Sequence, residues 1–204
     1  MSDERTPLNR FWAEFRENKI GLVALVVVVV TILLALFASI ISPQDPYDLA
    51  KLSLMDSRRP PGFVGSGGYT HLLGTDPQGR DLLSAIFYGL RISIQIGLAA
   101  GLVSLTIGTA LGITAAYVGG RIEALIMRLI DLQLSFPAIL LALVIVALLG
   151  QGKVQLISAL VAAQYAYFAR TAYGAAKAER GKDYIEAALA TPLSGRLVVM
   201  RHLL

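Results

Sequence analysis

The sequence predicts an all-α, polytopic membrane protein, and three observations carry that prediction. Of its 204 residues, 55% are hydrophobic and 16% charged, whereas soluble domains have an apolar share of about 45 to 50%. Four apolar stretches reach the roughly 20 residues that a helix needs to cross a hydrocarbon core of about 30 Å. Lysine and arginine collect at alternate ends of those stretches, the pattern that orients membrane helices.

Residues 1–19 form an amphipathic N-terminal segment in which Phe11, Trp12 and Phe15 share one face of a helix over 9–19. Arg10, Glu14, Arg16 and Glu17 surround the rest, which suits a helix lying in the cytoplasmic interface; a solvated tail is the plainer alternative. The first span, residues 20–42, is free of charge and contains the Val26 to Val30 run. It is longer than the apolar part of a signal peptide, no small-x-small cleavage site follows, and acids as well as bases precede it, so it reads as a retained anchor.

Residues 43–91 are a loop punctuated by Pro43, Pro46, Pro60, Pro61, Gly62, Gly65, Gly67 and Gly68. Leu73 to Asp81 reads as a helix restart with Asp76 as N-cap and Pro77 at the first helical position. An amphipathic piece with Leu82, Leu83, Ile86 and Phe87 then leads into the second span. The core, residues 92–204, contains that span (about 92–118), whose Gly97, Gly101, Gly108, Gly112, Ser104 and Thr106 suit close helix packing in lipid. The third span (about 124–149) carries Arg128 and Asp131 near its start, spaced as an i, i+3 structural pair. A transport-pathway pair is the sharper alternative there, and Pro137 is expected to kink the helix or relieve packing there. The fourth span (about 154–173) is dotted with Gln155, Ser158, Gln164 and Arg170.

Arg5, Arg10, Arg16 and Lys19, then Arg121 and Arg128, then Arg170, Lys177, Arg180, Lys182, Arg196 and Arg201 mark the cytoplasmic side. The N-terminus is therefore expected inside and the 43–91 loop outside. The absence of cysteine excludes disulfides and thiolate chemistry. His71 and His202 lack metal-ligand spacing, and the net charge of +4 is spread between spans instead of forming a nucleic-acid stripe.

After the fourth span, Asp183-Tyr184-Ile185-Glu186 has the spacing of a capping box and opens a short helix rich in alanine. Pro192 ends it, and Leu197, Val198, Met200 and Leu204 suit a second helix. The expected shape is helix, turn, helix on the inner membrane surface, offering a low knob to a groove on a partner.

Tyr184-Ile185-Glu186-Ala187-Ala188, with His202 sixteen residues after the glutamate, resembles the EAA loop of binding-protein-dependent ABC importer permeases. His71 to Asp76 with Gly79-Arg80-Asp81 and Tyr88-Gly89-Leu90-Arg91 is similar to a block of the C-type permeases for dipeptides, oligopeptides and nickel. Tyr117 to Gly120, Met127 to Asp131 and Phe136-Pro137 resemble their third-helix region. The resemblance implies a type I importer permease that pairs with a homologous permease. It also implies an extracytoplasmic solute-binding protein and two cytoplasmic ATPases that bind the ATP, with no cofactor on this chain and no enzyme activity of its own. No GxxxxGK[ST] sequence is present.

Tyr184, Glu186, Ala187, Ala188, Pro192 and His202 would then form the ATPase-coupling segment, and Gly74, Thr75, Asp76, Gly79, Arg80 and Asp81 the extracytoplasmic motif. Pro192 stands where the family has glycine, so the turn there must differ. The family also continues past His-Leu-Leu with a proline and two further spans, so four of six expected helices fall within these residues. A shortened product or a frameshift would explain that, which leaves a non-functional fragment as one alternative and a self-contained channel or secondary transporter as another.

Overall fold

The computed structural model describes residues 7–180 and 182. Its elements are α1 (Pro7–Glu17), α2 (Lys19–Leu36), α3 (Ala38–Ile41), two 3-10 turns (Leu49–Lys51 and Leu54–Asp56), β1 (Phe63–Val64), β2 (Thr70–His71), α4 (Leu82–Val118), α5 (Gly120–Leu134), α6 (Ala138–Leu149) and α7 (Lys153–Arg180). The chain divides into two compact units, Met1–Gln95 and Ile96–Leu204.

In the first unit, Phe11, Trp12 and Phe15 of α1 pack ring to ring with centroids 5.9 to 6.0 Å apart. Phe11 and Trp12 remain exposed. One residue separates α1 from α2: Asn18 caps α2 by accepting the Gly21 amide at 2.9 Å. The side chains of α2 from Val23 to Val30 are apolar and almost all exposed, as expected of a helix whose solvent is lipid. The chain then makes a short offset at Phe37, and α3 completes the first apolar stretch.

Residues 43–81 fold as a small module of turns with one antiparallel hairpin, β1 and β2, in the register Phe63↔His71. Asp76 does not cap α4, as the local spacing had suggested. Residues 76–80 are turn, and α4 starts at Leu82 with Asp81 before it, its Oδ2 accepting the Ser84 amide at 2.7 Å. α4 then runs unbroken for 37 residues, or about 55 Å at 1.5 Å per residue. That is far longer than a hydrocarbon core, so the amphipathic lead-in and the second span are one helix.

The second unit is organised around α7, against which both α5 and α6 pack. Ala159, Ala163, Ala166, Ala169 and Ala176 form its buried stripe. Ala166 and Ala169 meet Ile130 of α5 and Leu111 of α4, while Ala176 meets Ile113 and Ala116 of α4. At Gly108 a β-carbon would overlap the Tyr165 carbonyl, and at Gly112 the Ala169 carbonyl, so α4 and α7 touch backbone to backbone. Gly97 and Gly101, also expected in helix packing, face open space.

The third expected span is two helices and not one kinked helix. α5 and α6 meet at 88°, because Pro137 lacks an amide donor and Ser135 and Phe136 bond back onto α5, to Asp131, Leu132 and Gln133. Asp131 is joined to Arg170 on α7 and not to Arg128, which replaces the i, i+3 pair by a link between helices. Among the described residues two helices, Lys19–Leu36 and Leu82–Val118, are long and apolar enough to cross a membrane, or three spans if the bent α5 and α6 pair is one. α7, the fourth expected span, has the length but is diluted by its polar side chains and alanines. The fold is all-α and multi-pass.

Two measurements check this packing. Trp12 is the only tryptophan; in reconstituted bilayers its emission should be quenched more by lipids brominated near the headgroup than by those brominated deep in the chains. Equal insensitivity to both would remove α1 from the interface. In the purified chain, Gly112→Val should lower the unfolding free energy in a detergent titration by about 1 to 3 kcal/mol, the usual cost of overpacking. Gly97→Val should change it by much less.

Candidate functional site

Two polar clusters stand out against the apolar spans. The first locks the 43–81 module. Asp56 Oδ2 accepts from both the amide of Ser66 (2.9 Å) and its hydroxyl (2.6 Å), which fastens the hairpin loop to the second 3-10 turn. The Thr75 hydroxyl donates to the Asp56 carbonyl and accepts the Arg59 amide at 2.8 Å. The Thr75 amide in turn reaches the Arg59 carbonyl at 3.1 Å.

Gly74 and Gly79 are pressed against the carbonyls of Arg59 and Ser53, where a β-carbon would overlap, and both have positive φ. Between them Asp76 Oδ1 accepts the amides of Gln78 (2.8 Å) and Arg80 (2.9 Å), an Asx-type turn that ends in a bridge between Thr75 and Asp81.

Asp81 is the centre of this cluster. Its carboxylate takes His71 Nδ1 at 3.0 Å on one oxygen and the amide and hydroxyl of Ser84, each at 2.7 Å, on the other. Its amide donates to Gln44 Oε1 at 2.7 Å. One buried residue thus ties β2 and the first turn of α4 through its carboxylate, and Gln44, just past α3, through its amide. His71 and Asp81 have the form of an acid–base pair, but His71 Nε2 faces Gly65, whose β-carbon would overlap it, and finds no partner among the described residues. With both side chains 1% exposed, no substrate reaches them, and a nucleophile beyond the histidine is missing from the geometry. No group of three or more acidic, histidine or cysteine side chains suited to a metal occurs among the described residues.

The second cluster gathers where α4 turns into α5. Gly119 and Gly120, both with positive φ, make the corner. Glu123 in the first turn of α5 accepts from the Tyr173 hydroxyl and from Lys177 Nζ (2.5 Å), and Lys177 also lies 5.7 Å over the Tyr173 ring. Arg180 Nη1 donates to the Ala116 carbonyl at 2.6 Å, a cation on the last turn of α4. Farther along the same helix pair, Gln133 bonds the Ala162 carbonyl and accepts the Tyr165 hydroxyl at 3.0 Å.

The structure therefore brings Gly74, Thr75, Asp76, Gly79, Arg80 and Asp81 into one turn. Tyr184, Glu186, Ala187, Ala188, Pro192 and His202, with the expected helix-turn-helix, lie outside the described residues. Sequence reasoning used Lys177 and Arg180 only to orient the spans and passed over Glu123 and Tyr173. The available signal was the spacing of Tyr173, Lys177 and Arg180 at i, i+4 and i+7, one helical face turned to a neighbour.

Comparison with known proteins places this architecture. Residues 6–61 match the N-terminal TM domain of oligopeptide transport permease C, and residues 108–204 match the binding-protein-dependent transport system inner membrane component. The two matches describe one class of inner-membrane permease, which the chain resembles over both stretches. Within it the relatives are C-type peptide permeases. The dipeptide transport system permease protein DppC of Haemophilus influenzae is 34% identical over 181 residues, which cover 89% of this chain and 60% of the relative. The di/tripeptide transport system permease protein DppC of Pseudomonas aeruginosa is 37% identical, over 89% of this chain and 59% of the relative. The glutathione transport system permease protein GsiD of Pectobacterium atrosepticum is 32% identical, over 98% and 64%. The chain thus spans about three fifths of the length of these curated relatives.

The Ser66 hydroxyl and then the Ser66 amide favour the ionised form of Asp56 and hold its carboxyl below the ordinary value. Because the folded value is the lower one, the stability it contributes is complete above the unfolded carboxylate value of about 3.9 and is lost as pH falls through the folded value. Hydrogen exchange over residues 56–75, corrected for its intrinsic pH dependence, should accelerate below about pH 4. Asp56→Asn should abolish that acid step; an unchanged acid step in the variant would assign it to other groups.

Proposed function

We propose that this chain is the C-type permease subunit of an ATP-driven importer for peptides or related small solutes, nickel chelates included. In this reading it pairs with a homologous permease, receives solute from an extracytoplasmic binding protein and is driven by two cytoplasmic ATPases that bind the ATP. The observation that carries the reading is the order of the two matches, 6–61 and 108–204, the second of which runs through Tyr184, Glu186, Ala187, Ala188 and His202. Relatives named for dipeptide, di/tripeptide and glutathione transport support peptides as the solute class.

The helix from Asp183 would enter a cleft of one ATPase, and closure of the ATPases would rotate the permeases about their shared interface. Positive residues flanking α1, the α4 and α5 corner and the end of α7 support a cytoplasmic N-terminus. The Gly74 to Asp81 motif would shape the outer module, with Asp81 fixing where the pore helix α4 begins.

Co-expression with the ATPase subunits should give a complex that survives detergent purification. Glu186→Lys, placing a cation where the coupling helix meets its cleft, should lower transport-coupled ATP hydrolysis at least tenfold, about 1.4 kcal/mol or more of lost coupling. Coupling equal to that of the unaltered chain would refute the role given to Glu186.

A further inference from the structure

α7 ends at Arg180, three residues before Asp183. Along the chain, the described bundle meets the coupling segment at the last turns of α7, and those turns have a soft point. Gly174 sits inside the helix with nothing within 4 Å of where its β-carbon would be. A glycine in a helix interior costs about 1 kcal/mol relative to alanine and loosens the turn around it. Left alone, a helix end carrying this residue would bend and absorb the motion.

Three attachments surround and follow that point. Tyr173 and Lys177 both bond Glu123, and Arg180 bonds the Ala116 carbonyl. Ala176, on the same face, is 2% exposed against Ile113 and Ala116. The side chains of Lys177 and Glu123 are 49% and 20% exposed, so the polar half of the joint is a rim contact, weak for stability in water but directional. On the corner side, a β-carbon at Gly119 would lie 3.5 Å from Arg180 Nη1 and 3.7 Å from Glu123 Oε2. The Gly119 side of the corner is therefore bare backbone facing the joint, while Gly120 faces open space.

We infer that Glu123, Tyr173 and Lys177, with Arg180 on the Ala116 carbonyl, form a force-bearing joint that makes the last two turns of α7 and the α4 and α5 corner move as one body. They are positioning residues for coupling, and the inference rests on the permease reading. Glu123 is the shared acceptor, so its loss releases both Tyr173 and Lys177. Arg180 holds α4 independently, so the joint spans the two helices that the corner connects.

The chain has no cysteine, which allows spin labels at Arg121→Cys, on the corner, and Lys153→Cys, at the far end of α7. In the complex with both ATPases, trapping with ATP and vanadate should shift the distance distribution between these labels. Glu123→Gln combined with Lys177→Met should lose that shift while the ATPases still associate and hydrolyse ATP. The exchanged pair Glu123→Lys with Lys177→Glu should restore it, and Tyr173→Phe should give an intermediate shift. A structural role alone would lower ATPase association and hydrolysis together with the shift.

A full shift in Glu123→Gln with Lys177→Met overturns the joint and leaves the permease reading intact. Absence of ATPase association in the unaltered chain overturns the permease reading, and the joint with it. Hydrogen exchange over residues 153–180 in the purified variants separates loss of the joint, confined to residues after Gly174, from loss of the fold; protection after Gly174 equal to that of the unaltered chain overturns the joint as well.

Discussion

The bundle depends on backbone contact between α4 and α7. At Gly108 and Gly112 no side chain stands between the helices, so α7 can lay its alanine stripe along α4 and present its remaining faces to α5 and α6. In lipid, apolar area gives helices no reason to prefer one another to acyl chains, and close van der Waals contact decides which surfaces meet. The small residues therefore act as the address of the contact. Once α7 is seated, Tyr165 reaches Gln133, Arg170 reaches Asp131, and Tyr173 and Lys177 reach Glu123. Each of these polar links is made by α7 to α5, and none could form with α7 displaced by the width of a side chain.

The module between α3 and α4 is stabilised in the opposite way. It has little apolar interior: its most buried side chains are His71, Asp81 and Pro46, while Leu49, Leu54 and Met55 are exposed. A few dozen residues cannot bury enough apolar surface to fix so many turns, so saturated carboxylates do it instead. The Asp56 carboxylate accepts two bonds from Ser66, and that of Asp81 one from His71 and two from Ser84; a buried carboxylate with its acceptors filled is stable where a half-satisfied one is costly. The glycines of the motif fit the same plan, since Gly74 and Gly79 allow turns to lie on carbonyls with no atom in between.

What was legible in the sequence was whatever is encoded locally. The aromatic face of α1, the uncharged α2 and the glycine-rich α4 follow from composition and period, and each is a helix in the structure. What escaped depended on partners far along the chain. Asp76 and Asp81 look alike to a rule about N-caps, and Pro77 tips the choice toward the former. Asp81 takes the cap because His71 and Gln44, ten and 37 residues away, hold it there. Arg128 is near Asp131 in sequence, yet the partner is Arg170, 39 residues on. Glu123 and Lys177 are separated by 54 residues, which no spacing rule detects. Pro137 announced a lost hydrogen bond but not that Ser135 and Phe136 would close back onto α5 and turn a kink into a corner.

That corner and the one at Gly119 and Gly120 bracket α5, and together they explain its composition. A helix continuous with its neighbours could be apolar throughout, as α6 is. α5 instead carries Arg121, Glu123, Arg128 and Asp131 on 15 residues, too polar for a bilayer centre and too short to cross one alone. Its sharp turns at both ends let it lie apart from the direction of α6, with Ile130 buried against Ala166 and Ala169 and Glu123 and Asp131 paired with Lys177 and Arg170 of α7. Apart from Arg180 on the Ala116 carbonyl of α4, the polar links described above between α7 and its neighbours are made to this helix. A segment that is bent at both ends yet tied to α7 from Glu123 to Gln133 cannot move without α7, the helix that precedes residues 183–204 in the chain. If those residues couple to an ATPase as proposed above, the charges of α5 lie on the neighbour to which α7 is tied.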